Sequence, residues 1–234
     1  MLITLAIIGI VAALTIPTVV HKYQQKAYYT AFMKAYNTLQ NAFTLGISEQ
    51  GEPSENMDPD EFFQDYFASN LKVASRCKGN GSSCVSSNTV IKTLNGQVAE
   101  GGATLYDFVD NYPSALLQDG SLVIYNNDDA FVAVDTNGGK APNTIGRDLF
   151  LFEVSPLRIK SGSSETEWRF YPMMLFYTGS LSPQLTLEQA IDITNIDKES
   201  EELAEGRRAS CSNEPYAEGN LCAARLLLEG KMNY

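Results

Sequence analysis

Four cysteines, a single histidine and one run of Asx residues are the side chains of this 234-residue chain with the most chemistry to offer. The cysteines fall into two local pairs. Cys77 and Cys84 bracket a Gly/Ser loop, and Cys211 and Cys222 bracket SNEPYAEGNL. Neither spacing is C-x-x-C, so zinc coordination and redox exchange are weak readings. An even count in short loops reads as two structural disulfides, Cys77–Cys84 and Cys211–Cys222, in an oxidising compartment. Sequence alone permits three connectivities, and the small loops favour local closure. Each bridge is worth about 2–3 kcal/mol. The Asx run is DTNGGKAPNTIGRD, residues 135–148. Asp135, Asn137, Asn143 and Asp148 carry oxygens of the type a hard cation takes, and backbone carbonyls would complete its shell. An EF-hand is excluded, because Gly139 stands at the fifth position and no Glu closes a twelve-residue loop. Lys140 and Arg147 oppose a cation here. The competing expectation is a glycine-rich connection whose Asx side chains bond backbone amides.

Other chemistry finds little support. His21 alone rules out a His-rich metal site and confines any Ser-His-Asp or Cys-His arrangement to one ring. There is no G-x-x-x-x-G-K, G-x-G-x-x-G or H-E-x-x-H motif. Asp128–Asp129 and Glu165–Glu167 read as solvated turn acids, and Trp168 with its aromatic neighbours as core or strand residues. No enzyme is expected. With 17 Lys+Arg against 28 Asp+Glu and a net charge of -11, bulk nucleic-acid binding is not expected either.

The elements that must position these residues begin with a membrane-like segment. Residues 1–20, MLITLAIIGIVAALTIPTVV, hold no charged side chain, so the acid belongs to the rest of the chain. As a helix they span about 30 Å, the thickness of a bilayer's hydrocarbon core. A secretory signal peptide fits poorly, since there is no basic n-region and no A-x-A site. A buried soluble helix fits poorly as well, for want of a polar stripe. His21, Lys22 and Lys26 follow as an interfacial edge. No Gly or Pro interrupts the chain between Pro17 and Gly46, and Phe32, Tyr36, Leu39 and Phe43 recur at helical spacing. One helix of more than forty residues is therefore expected, apolar all round in its first part and amphipathic in its second, with Pro17 bending it.

That segment, with the Tyr-Gln-Gln-Lys stretch at 23–26 and AYNTLQNAF at 35–43, resembles the N-terminal helix of type IV pilins and type II secretion pseudopilins. The resemblance is specific over about the first 45 residues and looser in the 135–148 loop and at the C-terminal end. It implies an α+β, pilin-like fold, with the long helix packed on a small antiparallel sheet. It also implies an assembly helix, in which Leu5, Ile8, Gly9, Val11, Leu14 and Pro17 would pack against other copies. Some pseudopilins bind calcium in loops of this region, so calcium is the cation the resemblance suggests at Asp135, Asn137, Asn143 and Asp148. The family's basic leader, cleavage-site Gly, methylated Phe and following Glu would all precede Met1, so either the true start lies upstream of it, the favoured expectation, or the chain is a degenerate or truncated subunit.

Beyond the helix, GEPSENMDPDEFFQD (51–65) carries six acids and two prolines and reads as a solvated exit. Short helices are expected at 60–67, 104–113, 186–194 and 197–205, and a last one ending at Gly230. Strands are expected at 88–94, 149–154 and 168–177, with a hairpin over 121–134. The organisation is then a transmembrane or filament-core helix (1–20), its amphipathic continuation (21–50) and an extracytoplasmic α+β domain (51–234). The expected function is a structural subunit of a pilus or secretion-type filament, anchored single-pass in a bacterial inner membrane before assembly. Its partners would be lipid, an assembly platform and other pilins. The alternative is a membrane-anchored extracytoplasmic binding protein that forms no filament.

Overall fold

The computed structural model describes residues 2–54, 56–128, 131–158, 166–173, 211 and 217–234. Helix α1, Leu2–Gln50, is 49 residues long and continuous through Pro17. At about 1.5 Å per residue it spans roughly 74 Å. Gly51 ends it with a positive φ of 83°, its amide bonding the Ile47 carbonyl at 2.9 Å.

Helix α2, Pro59–Tyr66, follows a strong start signal. Asp58 caps it, accepting from the amides of Asp60 and Glu61, and a proline occupies the first turn. It packs close against α1: a Cβ on Gly46 would lie 2.6 Å from the Tyr66 Cα, so only glycine lets the two backbones approach this far. Helix α3, Leu105–Asn111, is capped by Thr104, and helix α4, Cys222–Glu229, closes on Gly230 in the left-handed conformation.

Among the described residues six strands form one antiparallel sheet in sequence order. They are β1 (Val73–Arg76), β2 (Ser114–Leu117), β3 (Leu122–Asn126), β4 (Phe131–Asp135), β5 (Leu149–Arg158) and β6 (Thr166–Pro172). Because side chains alternate, each strand serves two faces. One face presents Val123, Val132, Val134, Phe150, Phe152 and Phe170 to the second half of α1. There Phe32 lies 4.8 Å from the Phe150 ring, and Tyr36 lies 5.8 Å from Phe152, centroid to centroid. The other face presents Leu122, Ile124, Ala133 and Leu149 to Leu105 and Val109 of α3 and to Ile91. The architecture is α+β, with a long N-terminal helix laid on an antiparallel sheet.

The hairpin expected over 121–134 is β3–β4, with Leu122 opposite Asp135. The strand expected at 149–154 extends to Arg158, past Pro156. The strand expected over 88–94 is not one. Thr89, Ile91 and Thr93 do point inward in alternation, but the segment meets Thr104, Val98 and Thr144 in isolated bridges and no neighbour runs beside it. The second half of the strand expected at 168–177, and the helices expected at 186–194 and 197–205, lie outside the described residues.

Candidate functional sites: an exposed apolar helix and a buried acidic loop

The two halves of α1 have opposite surroundings. In the second, Phe32 and Leu39 are 0% and 1% exposed beneath the sheet and α2. In the first, Ile8 is 64% and Leu14 72% exposed, and Ile7, Val11, Ile16 and Val19 are more than half exposed as well. From Ile7 onward, none of the apolar stretch is buried in the domain. Of the residues expected in an assembly helix, Ile8, Gly9, Val11, Leu14 and Pro17 are all exposed, and Leu5 lies in the same helix. Among the described residues this is the one helix long and apolar enough to cross a membrane, and no residue from Ile7 to Val20 takes part in the domain core. An uncharged helix surface of this size is costly in water, because each exposed apolar side chain forgoes about 1.5–3 kcal/mol of burial.

Both cysteine pairs form the expected local disulfides, with Cα atoms 5.8 Å apart for Cys77–Cys84 and 4.8 Å apart for Cys211–Cys222. Each has a stitching role. Cys77–Cys84 closes the loop that takes the Asp110 carboxylate on the Gly81 amide at 2.8 Å. Cys222 sits against Gly146, where a Cβ would lie 2.5 Å from its sulfur, so this bridge braces the end of the 135–148 loop. On the same spot the buried Tyr234 donates its hydroxyl to the Gly146 carbonyl at 2.9 Å, and Gln25 of α1 donates to the Tyr234 carbonyl at 3.3 Å.

The loop gathers all four of its Asx residues. Asp135 ends β4, Asp148 precedes β5, and both are wholly buried. The Asp148 carboxylate accepts from the Thr144 amide at 2.7 Å, the Asn143 amide at 2.9 Å and Asn137 Nδ2 at 2.9 Å. Asp135 accepts from the amides of Asn137, Gly138 and Gly139. Asn143, held at a φ of 49° and oriented by its surroundings, turns its amide nitrogen to Asp135 Oδ2, the Gly139 carbonyl and the Lys140 carbonyl at 3.1, 3.3 and 3.0 Å. Gly138 and Gly139 both have positive φ, which bends the backbone so that its amides point inward.

Calcium does not fit this donor set. The carboxylate lone pairs are taken by N–H groups, and Asn143 serves as a donor tying three oxygens together. Among the described residues no group of three or more His, Cys, Asp or Glu side chains could hold a metal, and of the loop's Asx atoms only Asn137 Oδ1 is buried without a partner. The geometry is that of Asx side chains bonding backbone amides, the competing expectation from sequence, and does not match a cation shell.

Burial acts on the protonation of both acids. Burial, with Asp148 adding its charge, pushes the Asp135 carboxyl up to about 7, and burial raises Asp148 as well. A third acid, missed from sequence, is Glu153 on β5. Burial pushes it up to about 7 beside the buried Tyr171, whose hydroxyl lies 2.7 Å from Ser155 Oγ. Alternation along β5 sets Glu153 on the face of Leu151 and Ser155, where it is half-buried, and sequence alone does not show how far that face is covered. Between α1 and strands β2–β4 lies a cavity of about 100 Å³, lined by Ala31, Leu39, Leu117, Val123 and Val134 and closed by the Lys34–Asp119 pair at 2.7 Å. Pockets that take a small molecule begin at roughly 300 Å³.

Compared with known protein families, curated proteins and solved structures, the chain matches none.

Proposed function

We propose that this chain is a pilin-like structural subunit: a membrane-anchored precursor that assembles, through the exposed half of α1, into a filament of the pilus or secretion type. The observation that carries the proposal is the division of α1. One continuous helix gives its second half to the domain core and leaves its first half, uncharged and apolar, without a cover. A flexible tether would serve an anchored binding protein as well. A rigid helix continuous with the core fixes the domain's position relative to whatever packs on the apolar half, which is what a polymer of identical subunits requires.

Lipid covers that half first, with the domain on the extracytoplasmic side where the two disulfides are stable. Extraction by an assembly platform then exchanges lipid for the apolar helices of other copies. Since lipid tails and helices are equally apolar, close packing and not the hydrophobic effect favours the bundle, and Gly9 and the alanines at 12 and 13 allow near approach. The acidic domain forms the outer surface. No step needs a catalytic residue.

Cysteines placed at Ile7 and Leu14 test the assembly. In cells carrying the assembly machinery, oxidation gives a ladder of linked copies; a monomer band alone overturns the filament reading and leaves an anchored monomer.

A further inference from the structure

Opposite charges on α1 are separated both along the helix and around it. His21, Lys22 and Lys26 are exposed, and neither lysine has an ion-pair partner among the described residues; Lys34, the next base on the helix, is already paired with Asp119. At the other end, Glu49, Glu52 and Glu61 are exposed and likewise unpaired, whereas nearby Asp60 holds Lys78 and Asp58 caps α2. The middle of the lysine pair and Glu49 are roughly 38 Å apart along the axis at 1.5 Å per residue, too far to meet within one chain.

Their angular placement is as informative. At about 100° per residue, the Lys22–Lys26 flank lies roughly 100° to one side of the packed Phe32–Leu39–Phe43 stripe, and Glu49 roughly 100° to the other. Both flanks are clear of the domain. A patch and its complement on opposite flanks, with an axial offset, cannot close into a two-fold dimer. They make a head-to-tail contact that repeats, which is the geometry of an open helical array.

We propose that the basic collar His21–Lys22–Lys26 of one copy docks on the acidic shoulder Glu49–Glu52–Glu61 of a second copy, and that this contact sets the axial stagger between them. It rests on the filament reading and adds to it the register and the residues. Because the roughly 38 Å offset exceeds the about 30 Å of the uncharged stretch, the collar docks on the shoulder of a copy farther along the array than the one its apolar half packs on; apolar packing holds the array together and the charge pairs choose which offset is adopted, since solvent-exposed ion pairs contribute more to orientation than to affinity. At the correct stagger collar and shoulder are level; slid toward one another by half that offset, two copies leave both sets of charges facing neutral helix surface.

The test uses the full chain assembled with its machinery and treated with a water-soluble carbodiimide, which joins a lysine to a carboxylate only at contact distance. Digestion and mass spectrometry should find Lys22 or Lys26 linked to Glu49, Glu52 or Glu61; the helical distance makes a link to Glu49 intermolecular, and mixing isotope-labelled with unlabelled copies identifies the others as intermolecular. The Lys22→Glu, Lys26→Glu variant should lower their yield about tenfold or more, and adding Glu49→Lys and Glu52→Lys should restore links of swapped polarity. The Ile7/Leu14 cysteine ladder, run in parallel, separates the outcomes. A ladder without these links overturns the docking and leaves the filament. No ladder overturns both. Links absent while binding to vesicles containing phosphatidylglycerol is lost in the Lys22→Glu, Lys26→Glu variant reassigns the collar to lipid headgroups and overturns the docking.

Discussion

Asp135 and Asp148 set the behaviour of the loop that joins β4 to β5. Asp135, held near 7 when folded against an ordinary carboxylate value of 3.8, binds more protons in the folded chain than in the unfolded one between those limits. The sign follows: the stability it contributes is complete below about pH 4 and is lost as pH rises toward 7. Asp135→Asn should therefore flatten the fall in stability between about pH 4 and 7, read by urea unfolding at each pH; an unchanged slope would contradict the burial of a raised carboxyl. Glu153→Gln should flatten the same window for the same reason, since its folded value is also about 7. Calcium in millimolar excess, against a chelator, should leave the melting temperature of the disulfide-intact protein unchanged, because N–H donors already occupy the carboxylates; a rise of several degrees would show a cation taking their place. The sequence carried much of this site. Cysteine pairing was legible because both loops are short, and the four Asx residues were legible as one cluster. Which of two roles they play was not, because oxygens that can ligate a cation can equally accept from amides. The choice depends on backbone conformations at Gly138, Gly139 and Asn143 that no spacing encodes.

At the scale of elements, α1 makes a sharp prediction because its halves do different work. Phe32→Ala removes a wholly buried ring stacked among Phe150, Phe152 and Tyr36, and should cost about 3–5 kcal/mol of domain stability. Ile8→Ala, on the uncovered half, should change the stability of the detergent-held monomer by less than about 0.5 kcal/mol. Equal effects would mean that the first half packs on the domain after all. Gly46→Val belongs at this scale too: its side chain meets the Tyr66 backbone, which cannot yield as a side chain does, so α2 must separate from α1. An unfolding transition at lower urea concentration than the native chain's, followed by circular dichroism, would register it, and an unchanged midpoint would contradict the close approach. The helix was readable from sequence because its hydrophobic period persists over many turns, and the β3–β4 hairpin because two β-rich runs flank an Asx turn. Strands β1 and β2 were not, since four residues each are too few for alternation to show and their pairing is supplied by neighbours distant in sequence. Segment 88–94 misled for the opposite reason: its alternation is genuine but it lacks a partner strand.

Across the whole molecule the net charge of -11 acquires an anatomy. None of it lies in residues 1–20, the collar after them is basic, and the acid is on the domain and its shoulder. On the proposed reading, a chain divided in this way would use its apolar rod for other copies, the charged joint for register and the acidic domain as its outward surface. The central claim is that the uncovered half of α1 is the assembly element. Negative-stain microscopy of material sheared from cells that express the chain with its assembly machinery tests it most directly, comparing the native chain with a Val11→Lys, Leu14→Lys variant. Fibres are expected from the native chain and none from the variant, with the variant's domain folded and its disulfides formed. Fibres from both, or from neither, would contradict it.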